Sequence, residues 1–459
     1  MPVNAVILAA GEGTRMKSKK PKVLHEILGR SLIEWSVFSA REAGAERIIV
    51  VVGHGADQVR ERLANQSDVE CIEQTERLGT GHAVRTVCDA IGGFSGPTVV
   101  LYGDTPLVRG ETIRALIDET RAHHNACTLL SMRPGDPSGY GRIVRSESGE
   151  LEAIIEDKDC TPEQHEQLTE CNSGIYCFCG GRLTQNITKL TTNNAQGEYY
   201  ITDMVGVYRE MGEPVAALLA DDYTELLGVN SRSQLSMAGR IMQSRINARL
   251  MDEGVTMMAP ELVWVGPDVT VGQDTELLPM TMLMGTTSIG TDCVIGPNTR
   301  LTDCEIHNNV HLEEVVGIQA VAEDGADAGP RAYLRAGTHL GPKAHVGTHV
   351  ELKNSYVGAG SKVPHLSYIG DTTMGEGVNI GAGSITCNYD GKNKHKTTIG
   401  NRVFVGSDTM MVAPVSLGDD SVIGASSCIT SDVPAGALAL ERSRQTIIKG
   451  YSREKKEQE

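Results

Sequence analysis

From Val265 onward the chain carries one apolar residue in every six: Val265, Val271, Leu277, Leu283, Ile289, Ile295 and Leu301. The series resumes at Leu340, Val346 and Leu352, shifts to Val357, Val363 and Ile369, and returns at Ile399, Val405, Met411, Leu417, Ile423 and Ile429. A helix repeats every 3.6 residues and a strand every two, so neither alone gives this period. A triangular coil does. Each hexapeptide makes one side, three sides make a turn, and the aliphatic residues stack down the axis of a parallel β-helix. A β-sandwich of short strands is the rival reading, and the fixed period disfavours it. Gly follows the apolar position at Gly266, Gly272, Gly290 and Gly296, where corners with positive φ are expected. Residues 305–331 and 385–396 break the period and are read as loops leaving the prism, and long departures from a rigid scaffold often carry function.

The first half has a different grammar. Short apolar runs at 5–10, 47–53, 98–103 and 127–132 read as buried strands of parallel type, and the segments 32–43 and 81–90 between them read as helices. That alternation predicts a doubly wound, Rossmann-like α/β sheet with ligands at the carboxyl ends of its strands. Residues 231–253 contain no Pro, and Leu235, Ile241, Ile246 and Leu250 lie roughly on one helical face, so a helix ending at Gly254 is expected to join the halves. The expected organisation is 1–230, a linker helix at 231–254, and 255–459 for the β-helix with a C-terminal tail.

Composition narrows the class of function. Hydrophobic residues make up 40% and charged residues 22% of 459, the range of a globular protein. A formal net charge of −17 argues against a nucleic-acid partner. No apolar run approaches membrane-spanning length, and residues 3–10 lack the length and basic flank of a signal peptide, so no membrane insertion is expected. The 11 cysteines are odd in number and show no C-x-x-C spacing. They read as reduced thiols of a cytoplasmic protein.

Residues 8–16 read L-A-A-G-E-G-T-R-M and are followed by Pro21-Lys22. A Gly-rich turn after the first strand lets backbone N–H groups approach a triphosphate, while Arg15 and Lys22 bring cationic charge to phosphoryl oxygens. Neither P-loop nor dinucleotide-binding Gly spacing is present. The pattern resembles the sugar-1-phosphate nucleotidylyltransferases. Further matches follow in order: Gln74 with Leu78-Gly79-Thr80-Gly81, Tyr102-Gly103-Asp104, Gly139-Tyr140-Gly141-Arg142, Glu156, Asn172-Ser173-Gly174 and Asn230. Together with the run at 193–203, they make nearly the whole chain similar to the bacterial bifunctional N-acetylglucosamine-1-phosphate uridylyltransferase/glucosamine-1-phosphate acetyltransferase family.

That resemblance implies a nucleotide site formed by Leu8, Ala9, Ala10, Gly11, Lys22, Gln74, Gly79, Thr80, Tyr102, Gly103, Asp104, Gly141, Glu156, Asn172 and Asn230. Asp104 and Asn230 would share Mg²⁺, Arg15 and Lys22 would be catalytic, and Glu156 and Asn172 would hold the amino sugar. In the β-helix it implies His365 as general base, oriented by Glu351. Arg335 and Lys353 would clamp the sugar phosphate, with Tyr368, Asn379 and Asn388 as sugar contacts. Ala382, Tyr389, Ser407, Ala425 and Arg442, again with Asn388, would take acetyl-CoA. The chain departs from the family pattern at Ala336 and Pro364. The implied substrates are UTP, glucosamine-1-phosphate and acetyl-CoA, the implied hand of the coil is left, and the implied assembly is a homotrimer serving cell-wall precursor synthesis. The alternative is a single-activity nucleotidylyltransferase whose β-helix only oligomerises.

Overall fold

The computed structural model describes residues 1–194 and 196–451. Ala195, within the run at 193–203, and the end of the tail beyond 451 lie outside the described residues. Contacts divide the chain into two compact units, Met1–Met242 and Gln243–Glu459.

The first unit is built on β1 (Asn4–Ala9), β2 (Arg47–Val52), β3 (Val69–Glu73), β4 (Pro97–Tyr102), β5 (Cys127–Met132), β6 (Arg142–Arg145), β7 (Leu151–Ile155), β8 (Cys171–Cys179) and β9 (Val215–Leu219). The sheet order is β9-β5-β8-β4-β1-β2-β3, and the β6–β7 hairpin joins at β8. The β1 strand pairs in parallel with β2, from Asn4 opposite Arg47 to Ala9 opposite Val52, and with β4 on its other side. Alternate residues of one strand feed opposite faces: Ile7, Val50 and Leu101 enter one core, and Val6, Val51 and Val100 the other. This is a sheet covered on both faces, and it explains the continuous apolar runs. The sheet is mixed, because β8 runs antiparallel between β4 and β5. Burial dictates hydrophobicity and leaves direction open, so the runs alone do not reveal this.

The second unit is a left-handed parallel β-helix whose three faces are sheets of 11, 10 and 9 strands. The six-residue ladder points inward, with Leu283, Ile295, Val346, Leu352, Val363 and Val405 all fully buried. Residues 305–331 do not leave the prism, contrary to the expectation. Glu305–Ile306, His311–Leu312, Val316–Ile318, Val321–Ala322 and Asp327–Ala328 are strands of successive sides. The period was hidden because some sides there are five residues long and the inward positions are Gly317, Ala322 and Ala328. In the second interruption, Ile385–Cys387 is still a strand of the coil, and only the residues from Asn388 to the strand Thr397–Ile399 depart.

The corners meet the expectation in part. Gly296 has φ 116 whereas Gly266, Gly272 and Gly290 do not take positive φ, and other corners put Asp or Asn there, as at Asp274, Asp292, Asp303 and Asn309. Gly272 and Gly290 answer a different need, since a Cβ on either would meet the next coil at 2.6 Å. The helix Arg232–Asp252 crosses the boundary between the units. Its buried stripe is Ala238, Met242, Ile246 and Leu250, so the expected face holds at Ile246 and Leu250 but not at Leu235 and Ile241, which are only half-buried. Buried Gln243 and Asn247 donate to the carbonyls of Val263 at 2.7 and 2.9 Å, fixing the helix to the first coil.

Candidate active sites

In the α/β unit, Leu8 on β1 and Tyr102 on β4 are register partners, so the segments after both strands open side by side. A cleft of about 320 Å³ there is lined by Leu8, Ala9, Ala10, Gly11, Lys22, Gln74, Gly79, Thr80, Tyr102 and Asp104. Gly103 supplies backbone, its N–H donating to Leu8 O at 2.9 Å. The Lys22 ammonium donates to the Asp104 carboxylate and, at 2.9 Å, to Asn230 Oδ1. One carboxylate and one amide oxygen thus converge on a single cationic centre, a donor set that suits Mg²⁺ completed by phosphate oxygens.

Gln74 spends its amide hydrogens inside the protein, on Gly79 O at 3.1 Å and His82 Nδ1 at 3.0 Å. Gly79 has φ 105, and a Cβ there would lie 2.5 Å from Tyr199 O. The run at 193–203 buttresses this segment, with Tyr199 N–H donating to Leu78 O at 2.8 Å and Gly81 N–H to Tyr199 O at 2.7 Å. Burial first, and then the charges of Asp104 and Glu156, raise the Tyr102 phenol well above its ordinary pKa.

Glu156 lines a second groove of about 1150 Å³ with Gly139, Asp157, Tyr200 and Asp203. Gly141 lies beside it, since a Cβ on Gly141 would come within 3.6 Å of Glu156 Oε1. Burial, and then Asp203, Asp159 and Asp157, push the Glu156 carboxyl up. Asn172 is turned inward: its Nδ2 donates to the Tyr176 hydroxyl at 2.7 Å, and its Oδ1 accepts from Gly174 N–H at 3.0 Å. Arg15 is exposed and outside the cleft lining. Arg77 and Glu198, which do line the cleft, and Asp203 were not singled out from the sequence, because their roles depend on chain-distant neighbours.

In the prism, His365 is exposed at the end of the strand Lys362–His365, opposite Thr348. The structure does not pair it with Glu351, whose carboxylate accepts from Arg335 at 2.9 Å. Glu351 and His365 lie on different faces of the coil, whereas Arg335 lies one turn from Glu351 near the same face. Lys353 is bound to both oxygens of Asp371, at 2.9 and 3.0 Å. Asn388 donates to Asp371 at 2.6 Å and lies 3.4 Å from the Tyr368 hydroxyl. Asp371, the hub of this group, is absent from the sequence-derived set. It falls 18 residues, one coil, after Lys353, and that spacing could have found it.

Ala382, Ser407 and Ala425 stack on one corner of successive coils, through Asp408 N–H to Ala382 O at 2.7 Å and Ser426 N–H to Ser407 O at 2.8 Å. Arg442 reaches Ala425 O at 3.2 Å. Asn379 lies on the face that carries His365 and leads into that corner, between Lys362 and Phe404. Tyr389 stands exposed on the departing loop, with the Lys394 ammonium 4.4 Å from its ring centre.

The MobA-like NTP transferase domain model matches residues 5–171, and the hexapeptide repeat of succinyl-transferase matches 396–431. Among curated relatives, the bifunctional protein GlmU of Streptomyces avermitilis is 48% identical over 98% of this chain and 94% of its own length. Those of Corynebacterium diphtheriae and Trichlorobacter lovleyi are 46% and 45% identical, over 97% and 99% of this chain and 93% and 98% of theirs.

Proposed function

This chain belongs to the bifunctional GlmU family, and on that premise we propose how its residues divide two reactions of UDP-N-acetylglucosamine synthesis. The prism acetylates glucosamine-1-phosphate with acetyl-CoA. The α/β unit then transfers UMP from UTP to N-acetylglucosamine-1-phosphate and releases pyrophosphate.

Uridylyl transfer needs no protein nucleophile. A sugar-phosphate oxygen attacks the α-phosphorus of UTP as the bond to the bridging oxygen breaks, and the protein positions the reactants and neutralises charge. The reading rests above all on the Lys22 ammonium held between Asp104 and Asn230 at the mouth of the Gly-rich cleft. Asp104 and Asn230 would hold Mg²⁺, which supplies charge neutralisation at the phosphates. Residues 8–11 present backbone to the triphosphate, and Lys22 and Arg15 meet its oxygens. Gln74 Oε1 faces the uracil N–H while Gly79 and Thr80 frame the base. Tyr102, Gly103, Gly141, Glu156 and Asn172 enclose the amino sugar.

In acetyl transfer the amine attacks the thioester carbonyl, the C–S bond breaks, and His365 takes the amine proton and returns it to the departing thiolate. Glu351, implied by the resemblance to orient His365, is held by Arg335 here and would serve the imidazole only after Arg335 turns to the sugar phosphate. Arg335 and Lys353 bind that phosphate, Tyr368 and Asn379 bind the sugar, and Ala382, Asn388, Tyr389, Ser407, Ala425 and Arg442 bind acetyl-CoA. The prism forms a homotrimer in the cytoplasm, the Tyr389 loop reaching a neighbouring copy. Among the described residues, no helix is long and apolar enough to cross a membrane.

Product analysis with UTP, glucosamine-1-phosphate and acetyl-CoA supplied together tests the division. Asp104→Ala should accumulate N-acetylglucosamine-1-phosphate. His365→Ala should cut acetyl transfer by about a hundredfold or more and spare uridylyl transfer from pre-acetylated substrate. Loss of both activities in either folded variant refutes the two-site assignment.

A further inference from the structure

We infer that Asp371 is a positioning residue of the acetyltransferase site, the carboxylate that holds Lys353 and Asn388 in place for the amino-sugar phosphate. The inference rests on the reading of the prism as an acetyltransferase. Asp371 follows the strand Tyr368–Gly370 at a corner of the coil, with φ 51 and a side chain only 7% exposed. Burying a carboxylate is costly unless it is paired and hydrogen-bonded. Here four donor contacts reach it: two from Lys353 Nζ, one from Asn354 Nδ2 at 2.8 Å, and one from Asn388 Nδ2 at 2.6 Å. Burial on its own would raise the acid's pKa, but these donors hold it below the ordinary value, so it stays ionised.

The corner itself does not require an acid. The equivalent corners of earlier coils are Gly285, Asp303, Gln319, Gly337 and Asn354, all at positive φ, and none of them is buried. The buried charge therefore answers a need particular to this coil. Its partners show what the need is. Lys353 ends in a flexible ammonium whose direction the bidentate contact fixes. Asn388 is where the chain leaves the prism, and its amide also lies beside the Tyr368 hydroxyl. A Cβ on Gly370 would sit 2.5 Å from that hydroxyl and 2.6 Å from Asn388 Nδ2, so both side chains close directly over the backbone that carries Asp371. One carboxylate thus orders a cation from the preceding coil and the first residue of the loop, and Asn388 in turn sets its amide beside the Tyr368 hydroxyl.

The test is steady-state acetyl transfer by the full chain carrying Asp371→Asn, with uridylyl transfer as the internal control. The isosteric amide keeps the shape but turns a donor towards donors. KM for glucosamine-1-phosphate should rise about tenfold, with kcat changed far less and uridylyl transfer unchanged. In a Lys353→Ala background the same change should add less than about twofold, because the residue it acts through is gone. An unchanged KM, or full additivity with Lys353→Ala, overturns the inference. A Lys353→Ala variant with normal acetyl transfer overturns the inference as well, since the residue it acts through would then have no role, whereas no acetyl transfer by the unmodified chain would instead overturn the acetyltransferase reading itself. Should Asp371→Asn not fold, Asn354→Ala loosens the same carboxylate. It should raise the same KM about threefold, and an unaltered KM there also refutes the role.

Discussion

The two units recruit their charged partners over very different lengths of chain. In the prism, Arg335–Glu351, Lys353–Asp371, His345–Asp327 and Arg402–Asp420 are separated by 16, 18, 18 and 18 residues, one turn of the coil each. In the α/β unit, Lys22 meets Asp104 across 82 residues and Asn230 across 208, and Arg109 meets Glu225 across 116. A solenoid brings together only residues one coil apart, so once the coil length is known its partners can be counted off. A doubly wound sheet gathers the ends of strands from anywhere in the chain, and counting does not help.

Lys22→Ala should expose this difference most strongly. On the proposed function it removes a cation that meets developing charge, and it should lower kcat/KM for UTP by about a hundredfold, or ~3 kcal/mol, while acetyl transfer is untouched. A near-normal kcat/KM would break the cleft assignment.

Glu170→Gln tests a non-local charge away from chemistry. Its carboxylate accepts from Arg145 Nε at 2.8 Å and from the Ser131 hydroxyl on β5. Burial would raise the acid's pKa, but Arg145 and Ser131 hold it below the ordinary value. A depressed folded pKa stabilises above the unfolded value of about 4.3, and that contribution is lost as pH falls through the folded pKa. The variant should therefore cost about 2 kcal/mol at neutral pH, a charged hydrogen-bonded contact, and the gap from wild type should close on acidification. A gap independent of pH in thermal melts would refute the assignment.

Ile295→Val is the smallest expected effect. Its neighbours in the ladder are Leu277 and Leu312, one coil to either side, so the cost should be about 1 kcal/mol and confined to melting of the prism. A matching shift in uridylyltransferase heat inactivation would show that the prism does not melt on its own and would end the comparison.

The ladder from Val265 to Ile429 was legible because an inward side chain must be apolar whatever else varies, and a fixed coil repeats that demand at a fixed interval. The Gly-rich turn at residues 8–13 was legible too, since a tight turn after a strand restricts residue type, and the cleft it lines is shared with Asp104. The coil at 305–331 was not, because Gly317, Ala322 and Ala328 fill narrow positions without an aliphatic signal. The buried stripe of the helix Arg232–Asp252 was legible only at Ile246 and Leu250, because Ala238 and Met242 weigh less in the pattern than Leu235 and Ile241.

By itself, then, the sequence determined the class of both units, an α/β sheet and a hexapeptide coil, though not the direction of β8 or the coils at 305–331, since burial acts position by position and leaves direction open. Only the tertiary structure decided which groups meet: Glu351 with Arg335 and not His365, Asn172 with Tyr176, and Lys353 with Asp371. Hydrogen bonds are short and directional, so which of several suitable donors a carboxylate takes is settled by ångström-scale placement that no linear pattern encodes.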